Sequence, residues 1–187
     1  MEGKNIAFGF MPDEEKKTSG INPDATKKKK YKTFGKNRSL RLKDFTYKGP
    51  YVYFVTATTY RRKNHFYNHA LAEAILKEIK EIKSKINFKL YVYCIMPDHL
   101  HLLLSPEENG KNLSGIMQEV NGRTTRVFWE QGGKGKLWQR GFYDHVARKN
   151  EDLKEIALYI LNNPVRKGLA KNFEDYPFCG LLDESPM

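Results

Sequence analysis

Several segments of the chain have the residue pattern that is typical of β-strands. Tyr51–Thr59 is dense in aromatic and β-branched side chains, a composition typical of a core strand. Phe88–Met96 predicts a second strand and His99–Leu104 a third, with Pro97-Asp98 as the tight turn of a hairpin between them. A further short strand is predicted within Leu137–Val146.

Helical spacing of apolar residues predicts three helices. The first follows Asn68, a residue suited to cap a helix, and the second ends near Gly132-Gly133. The third runs from about residue 150 to Asn163, where Pro164 is expected to stop it. Their apolar stripes are Leu71, Ile75, Ile79, Ile82 and Ile86; Leu113, Ile116, Met117, Val120, Val127 and Phe128; and Leu153, Ile156, Ala157, Ile160 and Leu161. This order of elements predicts an α+β fold with helices packed on an antiparallel sheet.

The composition favours a nucleic-acid partner. The 187 residues suffice for one main domain, and 33 Lys plus Arg against 22 Asp plus Glu give a net charge of +11. No apolar run is long enough for a membrane span, so we expect a soluble, cytoplasmic protein. Cys94 and Cys179 lack the spacing of a zinc site or a disulfide framework, which predicts free thiols.

Positive charge is concentrated near the N-terminus. Through Lys48 the chain holds 13 Lys plus Arg against 6 Asp plus Glu, without a sustained apolar period. We therefore predict a basic flexible arm over residues 1–38 and a folded domain over residues 39–187. The arm is either a solvated tail or a segment that contacts phosphates.

The candidate chemistry begins with His99-Leu100-His101. Residues i and i+2 of a strand point to the same face, so the two imidazoles project side by side at a spacing that suits a shared metal ion. Leu100, Leu102 and Leu104 then face the core. Two strand histidines can equally be satisfied by hydrogen bonds alone, so a second feature is needed.

Tyr159 and Asn163 of the third helix supply that feature. Their i, i+4 spacing puts a phenol and an amide on one side of the helix, beside its apolar stripe. Each also has a plain interpretation, as a surface tyrosine and as a helix-terminating asparagine.

Three strings in this order resemble the motifs of single-tyrosine HUH transposases. They are MPDHLHLLL at residues 96–104, LWQRGFYDHV at residues 137–146 and YILNNPVRKGL at residues 159–169. The resemblance is strongest to the REP-associated tyrosine transposases and covers roughly Tyr51 to Phe178. It implies a ferredoxin-like antiparallel sheet with helices packed on one side, and a catalytic domain within residues 39–187.

The resemblance also implies roles for the candidate residues. Tyr159 would be the nucleophile, and His99 and His101 would hold Mg²⁺ or Mn²⁺, with Asn163 as a third ligand or its support. The implied reaction is cleavage and rejoining of single-stranded, hairpin-bearing DNA through a covalent 5′-phosphotyrosine. Such a cation can polarise the scissile phosphate, and a phenolate leaves more readily than an alkoxide, so strands can be rejoined without ATP. Whether Tyr159 serves its own chain's metal site or that of a homodimer partner is open.

Basic side chains near these motifs are candidates for contacts with DNA phosphates. They are Arg61, Arg62, Arg123, Arg126, Arg140, Arg148, Arg166 and Lys167. Tyr60, Trp138 and Phe142 are candidates for base stacking, although Trp138 and Phe142 fit a core equally well.

Two other functions remain open on the residues alone. One is a non-catalytic nucleic-acid-binding module on the same fold, in which the histidines hold no metal. The other is an RNA phosphoesterase that uses water as its nucleophile. The two-histidine type of that enzyme needs a second His-x-Ser/Thr motif, which the sequence lacks.

Overall fold

An antiparallel sheet of five strands is the centre of the fold. The computed structural model describes residues 51–147 and 153–184. Its strands are β1 (Tyr53–Thr58), β2 (Phe88–Met96), β3 (His99–Pro106), β4 (Tyr143–Val146) and β5 (Cys179–Leu181). Their spatial order is β4-β1-β3-β2-β5. The hairpin predicted around Pro97-Asp98 joins β2 to β3 and pairs Met96 with His99.

The helices follow the apolar stripes of the sequence. They are α1 (His69–Lys85), α2 (Leu113–Glu130), α3 (Leu153–Leu161) and α4 (Asn163–Arg166). The predicted cap of the first helix is confirmed, because the Asn68 side chain accepts a hydrogen bond from the Leu71 amide at 3.2 Å. Asn112 caps α2 in the same way through the Gly115 amide at 2.9 Å.

The two faces of the sheet carry different layers. Lys80 of α1 lies 5.5 Å from the centre of the Tyr93 ring, and α1 packs with α2 over the face that buries Leu100, Leu102 and Leu104. The predicted α+β class, with helices packed on one side of an antiparallel sheet, is confirmed for these two long helices. The opposite face carries His99 and His101, and we call it the histidine face. The short α3 lies over it, since Tyr159 contacts the rings of Phe54 and His101.

The short strand predicted around Leu137–Val146 is β4, at the end of that segment. Before it, Gly141 adopts φ +79° and Trp138 makes an isolated bridge to Thr59. Strand β5 was not predicted, since three residues are too few to show an alternation. Its pairing with β2 sets Cys94 opposite Cys179. Both thiols are free, as expected, and hydrogen bonding with Cys179 together with burial raises the pKa of Cys94.

The prediction that Pro164 stops the last helix is wrong. α3 ends at Leu161, and Asn163 opens α4, where Pro164 lies in the first turn. Proline is tolerated there because first-turn N–H groups have no acceptor within the helix. The predicted start near residue 150 lies outside the described residues, as does the arm of residues 1–38. Among the residues that are described, no helix is long and apolar enough to cross a membrane.

Candidate active site

The two histidines of β3 converge through one nitrogen each. Both side chains point to the histidine face, and the Nε2 atoms of His99 and His101 lie 3.1 Å apart. Two ligands at right angles around a cation, each about 2.1 Å from it, are roughly 3.0 Å apart. The observed separation therefore fits a shared metal ion.

The other ring nitrogens are held by oxygen atoms. His99 Nδ1 lies 2.6 Å from Asp98 Oδ1, and His101 Nδ1 lies 2.9 Å from Thr56 Oγ1. When both Nδ1 atoms carry their protons and donate to these oxygens, both Nε2 lone pairs face each other. That arrangement is repulsive unless a cation lies between them, and both the Asp98 carboxylate and the Thr56 hydroxyl can accept from Nδ1 in these metal-binding tautomers.

Electrostatics keep His101 in the neutral form that binds metal. Burial, together with the charges of His99 and Arg166, lowers the pKa of His101 to about 3. Asp98 behaves oppositely: burial alone would raise its pKa, but the hydrogen bond and charge of His99 and the Arg62 guanidinium hold it below the usual value. Near neutral pH, His101 is thus uncharged and Asp98 ionised.

Tyr159 lies beside this pair. The centre of its ring is 6.5 Å from that of His101, and Phe54 contacts both rings, at 5.3 Å from His101 and 6.0 Å from Tyr159. The buried Ala157, Ile160 and Leu161 fix α3 on the sheet, whereas the Tyr159 side chain stays 44% exposed. The phenol is therefore accessible to a large substrate while its helix is anchored.

Asn163 is tied to the helix that carries Tyr159. Its Nδ2 donates to the Tyr159 carbonyl oxygen at 2.9 Å, and the side chain is buried. Its hydrogen bond is to the backbone and not to either histidine. Within residues 51–147 and 153–184 no group of three His, Cys, Asp or Glu side chains could hold a metal ion.

The basic candidates fall into several groups. Arg166 lies closest to the site, with its guanidinium carbon 4.6 Å from the centre of the Tyr159 ring. Arg62 pairs with Asp98 at 3.3 Å, in the turn that also holds Arg61. Arg126, Arg140 and Lys167 are exposed.

Two further candidates for DNA contacts are Arg123 and Arg148. Arg123 pairs with Glu78 of α1, on the helical layer away from the histidine face, which gives it a structural role there. Arg148 lies outside the described residues. Of the aromatic candidates, Trp138 is buried and its indole donates to Thr124 at 2.9 Å, so it belongs to the core.

Comparison with known proteins gives concordant matches. The model of the family described as "Transposase IS200 like" matches residues 46–163. A Haemophilus influenzae protein assigned to the REP-associated tyrosine transposases is 29% identical over 146 residues, 73% of this chain and 81% of the relative. The REP-associated tyrosine transposase of Escherichia coli K12 is 28% identical over 108 residues, 58% of this chain and 61% of that protein.

A solved structure supports the fold. The REP-associated tyrosine transposase bound to a REP hairpin superposes with a TM-score of 0.59 at 23% identity, covering 78% of this chain and 82% of that one. Fold and matches together define the class of protein as a single-tyrosine transposase, an enzyme acting on DNA. The chain belongs to the IS200-like transposase family, and REP-associated tyrosine transposases are among its relatives.

Proposed function

We propose that this transposase cleaves and rejoins single-stranded DNA through a covalent 5′-phosphotyrosine at Tyr159, with a divalent metal held by His99 and His101. The observation that carries the proposal is the position of an exposed phenol beside two imidazoles whose Nε2 atoms converge. A water-based hydrolase needs no tyrosine at that position. The proposal therefore favours the tyrosine as nucleophile.

The chain's own residues account for the bond changes. The Tyr159 oxygen attacks the scissile phosphorus and loses its proton to solvent, while the bond from phosphorus to the 3′ oxygen breaks. The departing 3′ oxygen takes up a proton and becomes a free 3′-hydroxyl. A 3′-hydroxyl that later attacks the phosphotyrosine reverses the step and releases the phenol, so the energy of the phosphodiester bond is retained.

His99 and His101 would hold Mg²⁺ or Mn²⁺, and the amide oxygen of Asn163 would serve as a third ligand or support one. The bound cation supplies charge stabilisation to the phosphate as negative charge develops on it. Thr56 and Asp98 orient the two imidazoles through their Nδ1 atoms. Phe54 keeps the rings of His101 and Tyr159 at a fixed spacing.

Arg166 would contact the scissile phosphate. Its guanidinium lies against the Tyr159 ring, and its charge acts on His101. A phosphate bound between Tyr159 and His101 would therefore contact the Arg166 guanidinium directly. Arg61, Arg62, Arg126, Arg140 and Lys167 would meet other phosphates of the DNA backbone, whereas Arg123 is paired with Glu78 and Glu81. We expect the DNA to bear a hairpin, because a relative of the same fold has been solved with a REP hairpin.

The test is a cleavage assay with a matched tyrosine control. Wild type, Tyr159→Phe and Tyr143→Phe are incubated with labelled hairpin oligonucleotides and Mn²⁺ or Mg²⁺, then run on a denaturing gel. Tyr143 lies on the same sheet face, opposite Thr56, and is likewise 44% exposed. We expect a metal-dependent protein–DNA band in wild type and Tyr143→Phe only. Cleavage that persists in Tyr159→Phe would contradict the mechanism, and firm binding without cleavage would favour a binding module.

A further inference from the structure

A short turn after β1 is bonded to the β2–β3 hairpin that leads into the site. This turn, Tyr60–Lys63, carries three basic side chains, and we call it the basic turn. The preceding residue, Thr59, is fully buried, and its amide and hydroxyl donate to the Asp98 carbonyl at 2.9 and 3.0 Å. The hydroxyl also reaches the Lys63 carbonyl at 2.8 Å. The basic turn is therefore fixed relative to the residue that orients His99.

The backbone of the basic turn is unusual. Arg61 and Arg62 have φ values of 58° and 52°, so two consecutive side chains with a Cβ lie in the left-handed region. That region is unfavourable for such residues and is typical of glycine or asparagine. Conformations of this kind cluster at ligand-binding sites. Local folding preference does not account for arginine here, which points to a role for the two guanidinium groups.

The charges around the turn are largely unbalanced. Arg61 and Lys136 both lie over the Tyr60 ring, at 5.3 and 5.6 Å, and neither forms an ion pair with a described residue. Arg62 is the exception, since its Nη1 lies 3.3 Å from Asp98 Oδ2. Cations grouped on one surface in this way attract a polyanion.

Asp98 is shared between the basic turn and the metal site. Its Oδ1 binds His99 Nδ1 at 2.6 Å while its Oδ2 faces Arg62, whose side chain is 70% exposed. A carboxylate that accepts a hydrogen bond from a metal-binding imidazole makes that imidazole a better ligand. An arginine paired with the same carboxylate makes that carboxylate a weaker acceptor for the imidazole, and its positive charge also repels an incoming cation.

We propose that the basic turn binds the DNA backbone beside the cleaved phosphodiester, and that this binding strengthens metal binding by drawing Arg62 away from Asp98. The inference rests on the proposed function. A phosphate matches the planar fork of the guanidinium and competes with Asp98 for it. Once Arg62 moves to the phosphate, Asp98 acts on His99 alone. By linkage, bound metal must then favour DNA binding by the same factor.

Adjacent arginines provide the matched variants for the test. Arg61→Asn and Arg62→Asn remove the same charge from the same turn, and asparagine tolerates the left-handed backbone. Only Arg62 contacts Asp98. Both are made in a Tyr159→Phe background, which prevents cleavage, and Mn²⁺ affinity is measured from the electron paramagnetic resonance signal of free Mn²⁺, without DNA and with a saturating hairpin oligonucleotide.

Without DNA, we expect Arg62→Asn to bind Mn²⁺ about fivefold more tightly than Arg61→Asn. The factor by which the hairpin oligonucleotide increases Mn²⁺ affinity should be about fivefold smaller in Arg62→Asn than in the Tyr159→Phe parent. Arg61→Asn should keep the parent's enhancement while binding DNA more weakly. Equal Mn²⁺ affinities and equal enhancements in the two variants would overturn the inference. Absence of Mn²⁺ binding in the parent would instead contradict the metal site of the proposed function, and the inference with it.

Discussion

Replacing Thr56 with Val isolates the hydrogen bond that orients His101. Thr56 lies on β1 directly opposite His101, and its hydroxyl is 2.9 Å from the imidazole Nδ1. Valine has nearly the same shape and an equal preference for strands, so the sheet should be retained. What is lost is the hydroxyl that can accept from Nδ1 in the tautomer that leaves Nε2 free for a metal.

The expected cost follows from the burial of the ring. His101 is 6% exposed, so an Nδ1–H without its acceptor is unsatisfied away from water, at a cost of about 1–3 kcal/mol. At about 1.4 kcal/mol for each factor of ten, this corresponds to a metal affinity roughly 10- to 100-fold weaker, the range measured for such supporting groups.

The assay is a calorimetric Mn²⁺ titration of wild type, Thr56→Val and Thr58→Val. Thr58 lies two residues further along the same strand and face, opposite His99, but is not hydrogen-bonded to it. Thr58→Val should therefore bind Mn²⁺ as wild type does. A Thr56→Val affinity within twofold of wild type would refute the reasoning, as would an equal loss in both variants.

Three further predictions concern charge, pH and packing. Arg166→Ala should cleave about 10²- to 10³-fold more slowly than wild type at saturating DNA. This rate ratio should shrink on DNA with a neutral methylphosphonate at the scissile position, and an unchanged ratio would exclude a contact of Arg166 with that phosphate. In chelator-treated protein, stability should fall as the pH drops below 6.5, because the unfolded chain binds a proton that folded His101 accepts only at about pH 3. Between about pH 3 and 6.5, the free energy of unfolding measured with urea should therefore fall with decreasing pH by about 1.4 kcal/mol per pH unit less in His101→Gln than in wild type. Equal pH slopes in the two proteins would contradict this. Ile160→Ala should destabilise the fold by about 2–5 kcal/mol, since the side chain is fully buried under α3; a loss below 1 kcal/mol in the same assay would contradict that packing.

Local sequence patterns predicted most of the fold and the two histidines that lie side by side on β3. The alternation of His99 and His101 with buried leucines identified the face of β3 that would carry chemistry, and the register of β3 agrees. The bounds of β2 follow from its apolar run. Such features depend on side chains a few residues apart, which a single sequence displays.

Features that depend on distant pairing were not predictable. Thr56 supports His101 from 45 residues away, and nothing in one sequence fixes the register of β1 against β3. Arg123 was expected at DNA because it is basic, but the packing of α1 on α2 brings Glu78 to it. Asp98 was visible in the hairpin turn, yet its partner Arg62 lies 36 residues away in the sequence, in the basic turn.

The covalent link itself is the most direct test of the account. Tryptic cleavage after Lys154 and Arg166 yields the peptide Glu155–Arg166, in which Tyr159 is the one tyrosine. After reaction with a hairpin oligonucleotide and Mn²⁺, then nuclease and trypsin digestion, mass spectrometry should find this peptide carrying a 5′-linked nucleotide. The released DNA fragment should end in a 3′-hydroxyl. Cleaved DNA alongside an unmodified Glu155–Arg166 peptide would contradict the central claim.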